Sequence, residues 1–254
     1  MKKQFKVLVN VGTHGTERIG LKVLEKLKNL NPKSGKLETN IANPKALKKG
    51  VRFISHDLNR SFPGNKKGSY EQRLAHNLIP KLKSTNLVID IHSTESDIRE
   101  AMIVTRYTKK IKKLIKAVGP KYVLVMKISK SNALISHSKL GVAFEYGNDK
   151  SIKTLTGTVG GIKNILRSLG MIEGVCKPQH TKTKIYIIKN TFPRKSSDKL
   201  MPEIKNFTLV KKGQVVAKNR DKLIRSEKSF YPILFREPTY KDIFGFMGEY
   251  LGEI

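Results

Sequence analysis

Two histidines and one glutamate at the ends of apolar segments have the residue types and spacing to bind a divalent metal ion. His14 and Glu17 lie three residues apart in the turn that follows the apolar run Phe5–Val11, and His92 ends a second apolar run, Leu87–His92. Both runs predict strands, and open α/β sheets bind ligands beyond the carboxyl ends of their strands. Two His and one Glu, with a fourth position left to water, form the ligand set of a catalytic zinc site. A glutamate near a histidine is also common at a helix start, where it complements the helix dipole.

Glu145 is the best candidate for the general base that a hydrolase needs in addition to its metal. It lies in the apolar run Gly141–Gly147, between Phe144 and Tyr146. A carboxylate in such a run is expensive to bury unless it is paired or its pKa is raised. Alternatively, Glu145 faces solvent because side chains alternate along a strand. Its spacing alone does not decide between the two.

A polar loop between residues 52 and 63 holds a second cluster of chemically active side chains: Arg52, Asp57, Asn59 and Arg60. An arginine donates two parallel hydrogen bonds to a carboxylate, an aspartate can hold the guanidinium in place, and an asparagine can donate from its amide. The loop therefore indicates a clamp for a carboxylate, although an ordinary polar turn has the same composition.

The elements that must position these side chains alternate along the chain. Strand and helix patterns follow one another through the first two thirds, which predicts an α/β sheet covered on both faces. From Lys177 onward, short apolar runs are separated by Gly, Pro and polar turns. We therefore expect a catalytic domain over residues 1–177 and a β-rich domain over residues 178–254.

The charge balance is strongly basic, with 51 Lys and Arg against 20 Asp and Glu and a formal net charge of +31. Such a charge attracts polyanions and speeds the association of anionic substrates. The lysines are spread along the whole chain, only 7% of residues are aromatic and Trp is absent, so no platform for stacking nucleic-acid bases is visible. We expect generic attraction of anions rather than a dedicated nucleic-acid site.

Cysteine use and hydropathy bear on the compartment. The single cysteine, Cys176, excludes an intrachain disulfide and fits a reducing environment. No run approaches the roughly 20 apolar residues that a membrane span needs, and a cleaved signal peptide would remove His14. We therefore expect a cytoplasmic protein without a membrane partner.

Taken together, these motifs resemble those of the succinylglutamate desuccinylase/aspartoacylase family, a branch of the zinc-carboxypeptidase-like hydrolases. The resemblance covers most of the chain, and four motifs in the family's order are far more specific than any one of them. The motifs are GTHGTE at Gly12–Glu17, NPKALKKGVRF at Asn43–Phe53 running into DLNRSF at Asp57–Phe62, DIHST at Asp90–Thr94, and VAFEYG at Val142–Gly147.

The resemblance implies a fold, a cofactor and two catalytic roles. The fold would be a zinc-carboxypeptidase-like three-layer α/β/α domain with a mixed sheet, followed by a small C-terminal β-rich domain that caps the active site. One zinc ion per chain would be bound by His14, Glu17 and His92. Glu145 would be the general base and proton shuttle, and Arg52 would polarise the scissile carbonyl and stabilise its oxyanion.

The resemblance also assigns the substrate contacts. Asn59 and Arg60 would bind the carboxylate of the amino-acid half of the substrate, and Asp57 would support that pair. Tyr240, in a segment similar to the family's C-terminal segment, would reach back to the substrate.

One departure from the family bears on specificity. Members that act on acidic N-acyl amino acids place an arginine shortly before the catalytic glutamate, and residues 131–138 contain none. His137 in that segment is expected to be an exposed loop residue. Because a buried, unpaired carboxylate is costly, we expect a substrate with a neutral or basic side chain. A lysine such as Lys127, Lys130 or Lys139 at the pocket mouth would weaken this expectation.

The function predicted from these residues is that of a zinc-dependent hydrolase, a deacylase. It would use metal-activated water to cleave the amide bond of an N-acyl amino acid or a related small amide, and that small molecule would be its partner. The sequence leaves a homo-oligomer open. The alternatives are a carboxypeptidase-like enzyme acting on a peptide or cell-wall amide, and a basic nucleic-acid-binding protein on a hydrolase fold.

Overall fold

The computed structural model describes residues 4–128 and 131–254. The helices within these residues are α1 (Ile19–Leu27), α2 (Pro44–Lys49), α3 (Tyr70–Ser84), α4 (Lys109–Val118) and α5 (Ile152–Ser168). The strands are β1 (Lys6–Val11), β2 (Lys36–Ile41), β3 (Leu87–His92), β4 (Ala101–Val104), β5 (Tyr122–Met126), β6 (Leu140–Glu145), β7 (Lys184–Pro193), β8 (Lys199–Leu200), β9 (Val215–Asn219), β10 (Lys222–Arg225), β11 (Tyr231–Ile233) and β12 (Ile243–Glu253). None of these helices is long and apolar enough to cross a membrane.

Nine of the strands form one mixed sheet in the order β11-β12-β7-β5-β4-β6-β3-β1-β2. The neighbours β2, β1, β3 and β6 are parallel, whereas β4 runs antiparallel to β6. At the other end, β12 and β11 add antiparallel pairs. The predicted α/β class with a mixed sheet is confirmed.

Side chains alternate between two helical layers along the central strands. Ile89 belongs to the core beneath α1, α4 and α5, whereas Val88 and Ala143 pack in the core that includes α3. His92 and Glu145 lie an even number of residues after Val88 and Ala143, so they share the α3 face of the sheet. The strand alternation thus directs both side chains to one side.

The C-terminal segment is divided between two sheets. β7 pairs in parallel with β5 and carries β12, so these strands extend the large sheet. β8, β9 and β10 form a separate three-stranded antiparallel sheet. The large sheet therefore continues across the boundary predicted at residue 177. Strand β5, which precedes residue 177, is hydrogen-bonded to β7, which follows it. The division into a catalytic domain and a capping domain stays a prediction.

Candidate active site

The ends of two neighbouring strands bring the predicted metal ligands together. His14 and Glu17 lie in the turn between β1 and α1, and His92 is the last residue of β3. All three are buried, and one ligand atom from each lies within 4.8 Å of the others. Glu17 Oε1 is 2.6 Å from His14 Nδ1, and Glu17 Oε2 is 2.9 Å from His92 Nδ1. This converging set of two imidazoles and one carboxylate fits a zinc ion.

Each histidine has a second carboxylate on its other ring nitrogen. His92 Nε2 lies 2.8 Å from Asp90 Oδ2, and His14 Nε2 lies 3.1 Å from Asp57 Oδ1. For His92, a proton on Nε2 that is donated to Asp90 leaves the Nδ1 lone pair free for a metal, and such a contact fixes the tautomer and the ring orientation. Burial lowers the pKa of His92, but the carboxylates of Asp90 and Glu17 outweigh it and hold this pKa well above its usual value.

Asp90 is a site residue that the sequence reasoning did not single out. It is buried at 1% exposure and accepts hydrogen bonds from Asn10 Nδ2 at 2.7 Å and Thr13 Oγ1 at 2.9 Å. The available signal was its position two residues before His92, because alternate residues of a strand share one face.

Glu145 ends β6 as the register partner of His92. Only 8% of its surface is exposed, which decides against the solvent-facing alternative. Burial raises the pKa of its carboxyl group to about 8; the nearby carboxylates of Glu17 and Glu237 add to this, and His92 opposes it. Among the described residues, no hydrogen bond engages this carboxyl group, so it is available to a water molecule or a substrate.

Arg52 lies against the proposed ligands. Its Nη2 is 3.0 Å from His14 Nε2 and 3.3 Å from Asp57 Oδ2, and its Nη1 is 3.5 Å from Glu17 Oε1. Burial lowers the pKa of Arg52, but the carboxylates of Glu17 and Asp57 outweigh it, so the guanidinium stays charged. Asp57 contacts His14 and Arg52 and is absent from the lining of the central pocket. Its contacts therefore indicate that Asp57 supports these two residues.

Asn59 and Arg60 occupy a 3-10 turn, Leu58–Arg60, whose start is capped by the Asp57 carboxylate through the Asn59 N–H at 2.8 Å. Both side chains line the pocket. Asn59 Oδ1 accepts a hydrogen bond from the N–H of Leu134 at 2.9 Å. This bond directs the Asn59 amide, and within residues 4–128 and 131–254 its Nδ2 group has no hydrogen-bond acceptor, so it can donate to a ligand.

These side chains line one common pocket. Tyr240 lines it as well, and burial followed by the charge of Glu145 raises the Tyr240 pKa, so the phenol stays protonated. The wall also has an apolar part, formed by Ile103, Met126, Ala133, Ile135, Leu234 and Phe246, beside the polar side chains of Ser93, Thr94, Thr105, Glu237 and Thr239. The pocket thus has a charged end at the proposed metal ligands and an extended apolar surface.

The chain matches the succinylglutamate desuccinylase/aspartoacylase catalytic domain over residues 3–167, more than half of its length. It belongs to this family. An N-acyl-aromatic-L-amino acid amidohydrolase (carboxylate-forming) of Xenopus laevis is 25% identical over 92% of this chain and 90% of its own. The protein of the same description in Xenopus tropicalis is 39% identical, over 36% of this chain and 34% of its own. The crystal structure of murine aminoacylase 3 has the same fold, with a TM-score of 0.78 at 19% identity, over 100% of this chain and 97% of the other.

In this member of the family, Glu237 fastens the C-terminal segment to the site. Its Oε2 accepts hydrogen bonds from Thr94 Oγ1 at 2.6 Å and from the N–H of Glu95 at 3.1 Å. The segment continues into Thr239 and Tyr240, which line the pocket. Because Glu237 lies far from Thr94 in the sequence, no local pattern indicated this contact.

Residues 131–138, which contain no arginine, include a 3-10 turn, Leu134–His137. His137 stacks on Phe62 with ring centroids 5.6 Å apart, and its Nε2 contacts the carbonyl of Ser131 at 3.0 Å. His137 does not line the pocket, and neither do Lys127 and Lys139; Lys130 lies outside the described residues. Within the described part of the chain, the basic side chains at the pocket are therefore Arg52, Arg60 and the two histidines.

Proposed function

We propose that this protein is a zinc-dependent amidohydrolase that converts an N-acyl amino acid into a carboxylate and a free amino acid in the cytoplasm. The observation that carries the proposal is the convergence of His14, Glu17 and His92 with Glu145 and Arg52 in one pocket. The names of the Xenopus relatives support the reaction class.

The three ligands would hold one divalent ion, which supplies acidification of water and polarisation of a carbonyl when bound. Glu145 is placed to accept the proton of the attacking water and to return it to the leaving nitrogen. Its raised pKa, about 8, suits this exchange, because a base works best when its pKa lies near the working pH. A nearby cation would lower the pKa of Glu145 from this raised value toward neutrality.

Arg52 supplies a positive charge that can stabilise the oxyanion of the reaction. A tetrahedral intermediate of amide hydrolysis carries a developing oxyanion, and a fixed guanidinium stabilises that charge in a site with little water. Asp57 keeps the guanidinium oriented at 3.3 Å. Arg60 and the Nδ2 group of Asn59 would bind the α-carboxylate of the substrate, and Tyr240 would donate from its protonated phenol.

The pocket wall favours a neutral, apolar group on the substrate. A substrate that carries only an α-carboxylate can be paired fully by Arg60 and Asn59, whereas an aspartyl or glutamyl side chain would meet the apolar surface of Ile103, Ile135 and Phe246. Leaving such a charge without a partner is costly. We therefore propose N-acyl amino acids with aromatic or aliphatic side chains as substrates.

The part of the pocket wall that comes from the C-terminal segment supports a small substrate over a peptide or a cell-wall polymer. Leu234, Glu237 and Tyr240 from the C-terminal segment form part of the wall, and Glu237 holds that segment to Thr94 at 2.6 Å. An extended chain would have to displace this contact.

A hydrolysis screen tests the proposal. Purified protein is incubated with N-acetyl derivatives of phenylalanine, tyrosine, leucine, lysine, aspartate and glutamate, after chelation and again after readdition of zinc, and the released amine is measured. We expect zinc-dependent release, fastest for the aromatic and aliphatic members. Absence of release from every member in the zinc-loaded protein would contradict the proposal.

A further inference from the structure

A fully buried carboxylate with no part in the proposed reaction lies beneath the loop that carries Arg52. Glu71, in the first turn of α3, has 0% of its surface exposed. Its two oxygens accept four hydrogen bonds, from the backbone N–H groups of Ile54 at 2.6 Å, Ser55 at 3.0 Å and His56 at 3.1 Å, and from Asn43 Nδ2 at 3.1 Å.

Three consecutive backbone N–H groups that converge on one carboxylate form an anion-binding cradle. The cradle lies between Arg52 and Asp57 in the chain. These two side chains flank His14 Nε2, at 3.0 Å and 3.1 Å respectively. Arg52 and Asp57 are each within two residues of the cradle. The position of the Glu71 carboxylate therefore determines the backbone positions of both residues.

A second set of contacts ties Glu71 to the turn that carries His14. Asn43, which donates to Glu71, caps α2 by accepting from the N–H of Ala46 at 3.2 Å, and its own N–H donates to the carbonyl of Gly12 at 3.0 Å. On the other side, the N–H of Gly15 donates to the carbonyl of Arg52 at 3.1 Å. The loop that carries Arg52 and the turn that carries His14 are therefore joined through Asn43 and through Arg52, on two sides of the Glu71 carboxylate.

We propose that Glu71 is a positioning residue, which fixes Arg52 and Asp57 against His14. It acts through the backbone of residues 54–56 and does not touch the substrate. Its effect on turnover rests on the proposed hydrolase function, whereas its effect on the loop does not.

The loop is tested first, by amide hydrogen exchange of the metal-free protein. Glu71→Gln replaces one acceptor oxygen with an amide that faces N–H donors. We expect exchange at residues 54–56 to accelerate by about tenfold or more while the central strands keep their protection. The matched control is Asp198→Asn. Asp198 is also a buried carboxylate, and it accepts a hydrogen bond from the N–H of Lys195 at 2.8 Å, but it lies next to the small sheet and not in the Arg52 loop. Unchanged exchange at residues 54–56 in Glu71→Gln overturns the proposal.

Turnover is tested with the best substrate of the screen, below the unfolding temperature and corrected for the folded fraction. We expect Glu71→Gln to lower kcat by about tenfold or more, with a smaller change in KM. Arg52 stabilises charge that develops mainly in the transition state, so its displacement affects turnover more than substrate binding. In an Arg52→Ala background the same substitution should add little. A full, independent loss in that background overturns the proposal, as does unchanged kcat.

The role of Glu71 can still be decided if Glu71→Gln does not fold or if the wild-type protein shows no hydrolysis. If Glu71→Gln does not fold, Glu71→Asp keeps the charge but shortens its reach, and it should show the same two effects in weaker form; wild-type exchange and kcat in that variant overturn the proposal. If the wild-type protein hydrolyses none of the amides, the proposed function fails, while the exchange measurement still decides the role of Glu71.

Discussion

His92 and Glu145 are register partners on the adjacent parallel strands β3 and β6. One is a proposed metal ligand and the other the proposed base, and both side chains lie on the α3 face of the sheet. Their separation is therefore set by the backbone hydrogen bonds between two interior strands of the sheet rather than by a loop. Sites built on strands and helices hold their geometry more accurately than sites on loops, which suits a proton transfer.

Glu145→Gln should abolish most turnover and leave the metal in place. The glutamine keeps the shape of the side chain and removes the proton acceptor, so kcat should fall by a factor on the order of 10² or more. Steady-state kinetics and elemental analysis of the bound metal check this. Glu95→Gln, at an exposed position that contacts Asn148, is the control. Near-normal turnover in Glu145→Gln would show that another group is the base.

The core of the site could be predicted from the sequence because its residues follow recognisable strands. His92 and Glu145 each end an apolar run, and parallel strands place their carboxyl ends at one edge of a sheet. Sequence could not decide whether Glu145 faces solvent, because that depends on which face of β6 is covered. The covering residues come from the segment after β5 and from the C-terminal segment, far away in the chain.

Two elements that the pattern did not show have identifiable physical reasons. β12, of eleven residues, shifts its register at three places near Gly245, Gly248 and Gly252, so the alternation of apolar and polar residues that marks a strand is interrupted. α2 is short and begins with Asn43 as its cap and Pro44 in its first turn. That start signal is standard for a helix, but a helix of six residues is too short to show a helical period.

The contacts of Asp57, Glu71 and Glu237 could not be derived from spacing. Each joins segments that are distant along the chain or crosses a loop whose path depends on the surrounding packing. Asp57 was expected to support Asn59 and Arg60. Its carboxylate accepts from the Asn59 N–H and also contacts Arg52 and His14, and spacing did not indicate the contact with His14.

Zinc content should depend on the three ligands. The purified protein should bind about one zinc ion per chain with nitrogen and oxygen ligands at roughly 2.0–2.2 Å. His14→Ala should lose the metal yet keep its far-ultraviolet circular dichroism, because His14 lies in a turn at the edge of the sheet. Elemental analysis measures the zinc content per chain, and X-ray absorption measures the zinc–ligand distances. His76→Ala on α3 is the control. Retention of stoichiometric zinc in His14→Ala would remove His14 from the ligand set.

Asp90→Asn should weaken metal binding without removing a ligand. The carboxylate at 2.8 Å from His92 Nε2 fixes the ring and increases its basicity, and loss of such a partner typically costs 10–100-fold in metal affinity or activity. Competition with a fluorescent zinc chelator measures this affinity. Asp97→Asn, which alters a surface contact with Asn206, should leave the affinity unchanged; equal affinities for Asp90→Asn and the wild type would contradict the role given to Asp90.

The contribution of Glu71 to stability should disappear in acid. Burial raises its pKa, but the N–H groups of Ile54, His56 and Ser55 outweigh burial and hold the pKa of the folded state below its ordinary value of 4.5. A depressed folded-state pKa stabilises the fold above the ordinary pKa, and this stabilisation is lost as the pH falls through the folded-state value.

The free energy of unfolding of the metal-free wild type should therefore exceed that of Glu71→Gln by about 1–3 kcal/mol at neutral pH. This difference should shrink progressively below pH 4.5. Urea unfolding from pH 7 to pH 3 measures it, and the exposed Glu25→Gln serves as the control, with little difference at any pH. A difference that grows in acid would reverse the sign and refute the assignment.

Substrate preference should follow the absence of a second cation at the apolar wall. Arg60 and Asn59 are proposed to pair one carboxylate, and within the described residues neither Lys127 nor Lys139 lines the pocket. A site that leaves a buried charge unpaired discriminates by several kcal/mol, so N-acetylphenylalanine should have a higher kcat/KM than N-acetylaspartate or N-succinylglutamate by a factor on the order of 10². Ile135→Arg, which adds a cation to the 3-10 turn Leu134–His137, should narrow this ratio, whereas Ile135→Met should not. A wild-type preference for the acidic substrates would show that a cation reaches their side chain, and the specificity proposed here would be wrong even if the hydrolase reaction is right.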